Sequence, residues 1–257
     1  MADDVADRDD ADRDDAELAA HLADQAGALL LQVRATSGLE GRALAKEGDR
    51  VAEEFLAAEL AAARPDDLVL SEEGVDDATR LIASRVWIVD PLDGTREYSE
   101  GRHDWAVHVA LWAEDVLVAG AVALPARGLV LGTDHPPTVP DRDPDAPLRV
   151  AVSRTRPPTQ VQRLVEQLQA ETVPMGSAGY KVSAVLLGEA DAYVHAGGQY
   201  EWDSAAPVAV ARAAGLHTSR IDGSPMHYNQ VDPLLPDLVV CRPDDAAAIL
   251  EALRDQA

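Results

Sequence analysis

"VWIVDPLDGTREYSE", residues 86–100, decides the reading of this chain. An apolar run, Val86 to Val89, stops at Asp90, and Asp93, Gly94 and Thr95 follow at once. Asp, Pro and a second Asp three residues on predict a β-turn, because proline presets the backbone of the second residue. A turn brings its ends within about 7 Å, so Asp90 and Asp93 can converge beyond the end of a strand. Two carboxylates about 4 Å apart repel by about 4 kcal/mol at an effective dielectric of 20. A shared proton or a divalent cation would offset that. The turn also offers the Leu92 carbonyl, and oxygen ligands select Mg²⁺, Mn²⁺ or Ca²⁺ over zinc. Gly94 permits close backbone approach, and the amides of Gly94 and Thr95 can receive an anion. The plain alternative is an ordinary Asp-Pro turn with a solvated second acid.

Other acids lie outward from this stretch. "SEEG" places Glu72 and Glu73 just after a predicted strand. "EWDSAAPVAVARAAG" places Asp203 just before a helix of small residues that ends at Gly215. The default role for Asp203 is an N-cap, with Glu201 and Trp202 as rim and packing. Pro207 stands at the inner limit of what a first helical turn tolerates. "KEGD" places Asp49 at another predicted helix start, again with N-capping as the default.

The segments around these acids fall into two rhythms. Residues 1–15 hold eight Asp and two Arg with little to bury, and read as an acidic disordered tail. A helix is predicted over 16–33 and a second over 50–63, stopping before Pro65. Residues 67–74 read as a strand entering a loop. "RVWIVDP", the half-buried "WAVHVALW" (105–112), "VLVAGAVALP" and "GLVLGT" read as an antiparallel meander. Residues 135–147 carry five prolines and mark a boundary. Beyond it strands ("LRVAVS", "ETVPM", "ADAYVHA", "LHTSRID", "DLVVC") alternate with helices at 157–170, 181–188, 204–214 and 244–256. That alternation argues for an α/β lobe, residues 148–257, after an α+β lobe, residues 16–147.

Composition limits the function. The 257 residues carry 46 acids against 22 bases, a net charge of −24. Nucleic-acid polymers need Lys and Arg for their phosphates and are excluded as partners. An acidic protein that handles an anionic substrate needs cations to reverse the local field. Aromatics are 4%, so Ala, Val and Leu must fill the core. The single cysteine, Cys241, sits among apolar neighbours and reads as a core thiol in a reducing cytoplasm. No signal-peptide pattern and no bilayer-length apolar stretch is expected.

"WIVDPLDGT", with "SEE" upstream and "EWDSAA" downstream, resembles the inositol monophosphatase-like superfamily of metal-dependent phosphatases. "RVAVSRT", "GSAGYKVSAVLLGEADAYVH" and "GGQYEWDSAAP" are most similar to its CysQ-type branch, the 3'(2'),5'-bisphosphate nucleotidases. The resemblance implies a layered αβαβα sandwich of the sugar-phosphatase type in two lobes. It implies removal of the 3'-phosphate of 3'-phosphoadenosine 5'-phosphate (PAP) or its sulfated form (PAPS). One Mg²⁺ would be held by Glu72, Asp90 and the Leu92 carbonyl, and a second by Asp90, Asp93 and Asp203. Asp49 would orient the Thr95 hydroxyl beside the attacking water, and Gly94 and Thr95 would grip the phosphate. The family's Val-Thr before the Asp49 position is replaced here by Ala45 and Lys46. That departure bears on the role of Asp49 and on a third, weaker metal. Lithium sensitivity is a further implication.

The residues suit direct attack by water, because no cysteine or histidine stands near the motifs as a nucleophile. His103 and His108 read as surface and strand residues. Ser153 and Arg154, and Ser177 and Lys181 near Gly176, are the candidates for a second phosphate; the plain reading of Arg154 and Lys181 is solvated charge. The partner expected is a phosphorylated mononucleotide, met by a monomer or homodimer. An inositol monophosphatase or fructose-1,6-bisphosphatase with the same metal site is the rival. A non-catalytic metal and ligand sensor is the rival of another class.

Overall fold

The computed structural model describes residue 10 and residues 13–143, 145–155 and 157–254. Residues 1–9 and 11–12 of the expected acidic tail lie outside the described residues. Its last two members, however, belong to the first helix. Asp14 caps α1 (Asp15–Thr36) by accepting from the Ala16 and Glu17 amides at 3.0 and 2.8 Å. Asp15 pairs with Arg64 and Arg85 at 2.9 and 3.0 Å. These acids have partners that composition alone hides.

Helix α2 (Gly41–Ala63) starts nine residues earlier than expected. Ala, Lys, Glu and Arg in "GRALAKEGD" are strong helix formers, and Leu44 and Gly48 supply the buried stripe. Asp49 is therefore inside the helix and caps nothing.

Two sheets follow. The first has the order β1 (Leu68–Ser71), β2 (Arg85–Asp93), β3 (Ala106–Ala113), β4 (Val116–Leu124), β5 (Leu129–Gly132). Strand β1 runs parallel to β2, and β2 to β5 form the expected antiparallel meander. A one-turn helix, α3 (Thr95–Ser99), follows β2. The second sheet has the order β7 (Glu171–Met175), β6 (Arg149–Ser153), β8 (Ala192–Tyr200), β10 (Leu234–Cys241), β9 (His217–Ser219). Between its strands run α4 (Thr159–Gln167), α5 (Ala178–Leu186) and α6 (Glu201–Ala213), and α7 (Pro243–Arg254) comes last.

Alternation along the strands builds three apolar cores and so five layers. Trp87, Val89, Val107, Val109 and Leu111 face α1 and α2. Val86, Ile88, Ala106, Ala110 and Trp112, on the opposite face of the same strands, pack with α5, α6 and the second sheet. Val150, Val194, Val239 and Cys241 close against α4 and α7. The order is αβαβα. Strand β3 is buried on both faces rather than half-buried, because helices cover both sides of its sheet. Cys241 is buried, and burial pushes its thiol up to about 12.

The middle layer is thin. Ala205, Ala206 and Ala209 of α6 are buried, and a Cβ on Gly120 of β4 would meet Ala209 Cβ at 2.7 Å. Helix α6 begins three residues earlier than expected, so Pro207 lies in its interior. The N–H that Pro207 lacks would otherwise bond the Asp203 carbonyl.

Candidate active site

The Asp-Pro-Leu-Asp stretch is not a free β-turn. Strand β2 continues to Asp93, with Asp90 opposite His108 and Asp93 opposite Ala106 on β3. Three steps on one strand against two on the other make a bulge. Pro91 donates no hydrogen bond to the ladder, so pairing breaks there. The bulge re-aims the chain: Asp90 keeps the inner face of Val86 and Ile88, and Asp93 follows past the break. The Asp90 carboxylate accepts from the Leu92 amide at 3.0 Å.

Asp203 arrives from the middle layer. It is the third residue of α6, not a cap outside it, and its carboxylate accepts from the Tyr200 amide at 2.6 Å. One oxygen from each of Asp90, Asp93 and Asp203 lies within 4.8 Å of the others. Glu72 stands outside that tight group. It follows Ser71, which pairs with Val89, so Glu72 and Asp90 leave neighbouring strand ends on the same edge of the sheet.

Three of these acids are held up by burial and by one another. Burial, then Asp93, Glu72 and Asp203, push Asp90 well above the ordinary carboxylate range. Burial, then Asp203 and Asp93, push Glu72 up to about 7, although its side chain keeps solvent exposure. Burial and Asp93 push Asp203 up to about 6. Asp93 goes the other way. Burial raises it, but His108, Ser177 and the Gly179 amide together win and hold it down at about 2.

The Asp93 partners explain how it is fixed. Ser177 Oγ donates to it at 2.5 Å, and the Ala178 and Gly179 amides donate at 3.1 and 2.6 Å. It thus accepts from the first turn of α5, where a carboxylate also complements the helix dipole. His108 Nε2 lies 3.2 Å from Asp93 Oδ2, and its Nδ1 lies 3.0 Å from the Trp202 carbonyl. Burial pulls the imidazole pKa down, yet Asp93 and that carbonyl raise it on balance. The ring thus stands between the Asp93 carboxylate and the carbonyl of the residue before Asp203. Gly179 makes room for it: a Cβ there would lie 1.9 Å from His108 Nε2. His108 is a strand residue as expected, but its pairing with Asp93 was not foreseen. The available signal was a lone histidine within an apolar strand.

Asp49 and Thr95 also meet. Thr95 Oγ1 lies 3.4 Å from Asp49 Oδ1 and 3.1 Å from the Leu92 carbonyl. Burial, then Glu73, push Asp49 up to about 7 against the Thr95 hydrogen bond. Gly94 has φ +90, and a Cβ there would crowd Ser177 and Trp105 at 3.1 and 3.2 Å.

A cavity of about 900 Å³ opens beside Asp93, Gly94 and Asp203, and Ser153, Ser177 and Lys181 line it. Lys181 is buried, not solvated. Its Nζ donates to the Gly176 and Ser177 carbonyls at 3.1 and 2.6 Å, and lies 5.1 Å from the Tyr193 ring centroid. Arg154 does not line this cavity. Glu97 and Glu100 take its guanidinium at 2.9 and 2.5 Å, which leaves it turned to α3. His103 is exposed. Glu201 is fully buried and accepts from the Asn229 and Gln230 amides at 2.6 and 2.8 Å; Arg80, also buried, donates to Asn229 and to the Gln230 carbonyl. Glu201 is therefore an anchor for the start of α6, not a rim residue.

The donor set suits a hard divalent cation. Asp90 Oδ2 is buried and accepts no hydrogen bond, amid carboxylates that raise one another's pKa. Oxygen-only ligands around such an atom fit Mg²⁺-like ions and not zinc.

A five-layer αβαβα fold with an acidic cluster that could hold a cation at the strand ends points to a class of metal-dependent phosphatases. The chain belongs to the inositol monophosphatase family, whose model matches residues 12–256. A Mycobacterium leprae (strain TN) protein named 3'-phosphoadenosine 5'-phosphate phosphatase is 52% identical over 258 residues, 95% of each chain. The 3'(2'),5'-bisphosphate nucleotidase CysQ of Escherichia coli (strain K12) is 31% identical over 66% of this chain and 74% of its own. The crystal structure of CysQ from Bacteroides thetaiotaomicron superposes with a TM-score of 0.78 at 27% identity. That match covers 88% of this chain and 96% of the other. Among the described residues no helix is long and apolar enough to cross a membrane.

Proposed function

We propose that this chain is a magnesium-dependent 3'(2'),5'-bisphosphate nucleotidase. It adds water to the 3'-phosphate of PAP, and also of PAPS, releasing phosphate and AMP or its sulfated counterpart. The observation that carries the reading is the meeting of Asp90, Asp93 and Asp203 around a buried oxygen without a partner. The relatives' names support the nucleotide.

Asp90, Asp93 and Asp203 would hold one Mg²⁺; Glu72, Asp90 and the Leu92 carbonyl would hold the other. When bound there, such ions would supply charge to polarise phosphoryl oxygens, lower the pKa of water and stabilise the leaving oxygen. The chain's own groups do the rest. Asp93 stays ionised because α5 amides, Ser177 and His108 hold it so. Thr95 has one hydroxyl proton and two acceptors. Asp49, once anionic, is the stronger acceptor. Donation to Asp49 turns a Thr95 lone pair toward the attacking water. Gly94 and Thr95 amides receive the phosphate, and Ser153 and Lys181 stand where the rest of a nucleotide would extend. A third Mg²⁺ would belong beside Asp49. A cytoplasmic site of action and a monomeric or dimeric state remain part of this proposal, resting on the lone buried thiol and the family.

The test is a substrate panel. With Mg²⁺, turnover of PAP should exceed that of inositol 1-phosphate and fructose 1,6-bisphosphate. Preference for a sugar phosphate removes the nucleotide assignment; binding without any turnover makes the chain a sensor.

A further inference from the structure

Part of the lining of the active-site cavity is an aromatic and an aliphatic side chain that the mechanism does not use. Tyr200 and Leu234 line the cavity together. They face one another across β8 and β10 as register partners. Both are exposed, 45% and 46%, which is unusual for large apolar side chains brought together on a fold with a well-filled core. The Tyr200 ring stacks on Trp202 with centroids 4.7 Å apart and planes 8° apart. That contact fixes the ring and leaves its other face uncovered by Trp202. Gly197 and Gly198 continue the lining. Both have positive φ, and a Cβ on Gly197 would meet nothing within 4 Å. There is therefore open space at Gly197, whereas a Cβ on Gly198 would touch Leu234 Cδ1 at 3.5 Å.

We propose that this lining is a nucleobase platform: the base of the substrate lies on the face of the Tyr200 ring turned away from Trp202, beside Leu234. The inference rests on the nucleotide reading above and deepens it. A pre-stacked aromatic ring loses little rotamer freedom when a second ring joins it. Stacking is tolerant of base identity, because every base has a π-face. The backbone of Tyr200 serves a separate purpose, since its amide holds Asp203. A side-chain substitution leaves that bond available.

Calorimetric titration with AMP in excess Mg²⁺ tests the platform on the full chain. Tyr200→Ala should weaken AMP binding at least about fivefold. Tyr200→Phe should stay within about twofold of the parent, because stacking needs the ring and not the hydroxyl. Leu234→Ala, at an exposed position that tolerates truncation, should give a smaller loss of the same sign. Inhibition by inorganic phosphate, measured alongside, should change less than AMP binding in Tyr200→Ala. If Tyr200→Ala binds AMP as the parent does, or loses phosphate and AMP equally, the platform is overturned. An unaltered chain that hydrolyses inositol 1-phosphate and leaves PAP intact overturns the nucleotide reading, and this inference with it. An unaltered chain that hydrolyses PAP while the variants bind AMP normally removes the platform alone.

Discussion

Replacing Asp90 with Asn should make the cation-free protein more stable and the enzyme inactive. In the structure, Asp90 shares a 4.8 Å cluster with Asp93 and Asp203, and one of its oxygens has no hydrogen-bond partner. Two unit charges at that separation repel by about 3.5 kcal/mol at an effective dielectric of 20. Partial protonation of the cluster reduces this, so a net gain of about 1–3 kcal/mol is expected without cations. Asn keeps an oxygen for the Leu92 amide and adds a donor toward its acidic neighbours. For a chain of this size the gain is a rise in Tm of at least about 2 °C. Mg²⁺ should reverse the order. At a hundredfold excess over Kd a cation stabilises the parent by about 2.7 kcal/mol, and the variant lacks the ligand shared by both ions. Thermal unfolding in EDTA and in Mg²⁺, with PAP turnover as the second readout, checks both halves. A variant less stable than the parent in EDTA, or one with the same Mg²⁺ shift, refutes the account of the acid cluster.

Four further outcomes are expected. Gly179→Ala should cost about 1–3 kcal/mol in urea unfolding, because the new methyl overlaps a buried His108 that cannot retreat. Its kcat/KM on PAP should fall as well. Thr95→Val should lower kcat about a hundredfold or more while the Mg²⁺-induced Tm shift survives; loss of that shift would mean that Thr95 supports the cations instead. Arg80→Met should destabilise by about 3 kcal/mol, since it strips the buried Asn229 side chain and the Gln230 carbonyl of a charged donor. Asp191, fully buried, is raised by burial but lowered on balance by Arg149 and Arg242, below its ordinary 3.8. Its contribution is therefore complete above that value and lost as pH falls through the folded pKa. Asp191→Asn should flatten the acid limb of a stability-pH curve.

The paired acids and the strand pattern were legible because they are local or periodic, whereas the layer order and the full ligand set came from the resemblance. "DPLDGT", "SEE" and "EWDSAA" each put their acids at an element end, and alternation along "WAVHVALW" marked two faces. What escaped was contact between distant segments. Nothing in the spacing of "GSAG" says that its amides grip Asp93, and nothing near His108 says that Asp90 stands opposite. The β-turn expected at Asp90 became a bulge because the strand found pairing partners beyond Pro91. Arg154 was one candidate for a second phosphate, with solvated charge as the plain reading, and it pairs with two glutamates of the α3 region.

The seam between α6 and β4 has no side chain larger than a methyl at its tightest point. Asp203 rides on that helix, whereas Asp90 and Asp93 ride on the sheet beneath it. The thickness of the alanine and glycine contact is thus a spacer that gauges the gap between the two halves of the ligand set. A single methyl added at Gly120, remote from the chemistry in sequence, would be read at the active site as a change in the distance between Asp203 and the two acids of the sheet.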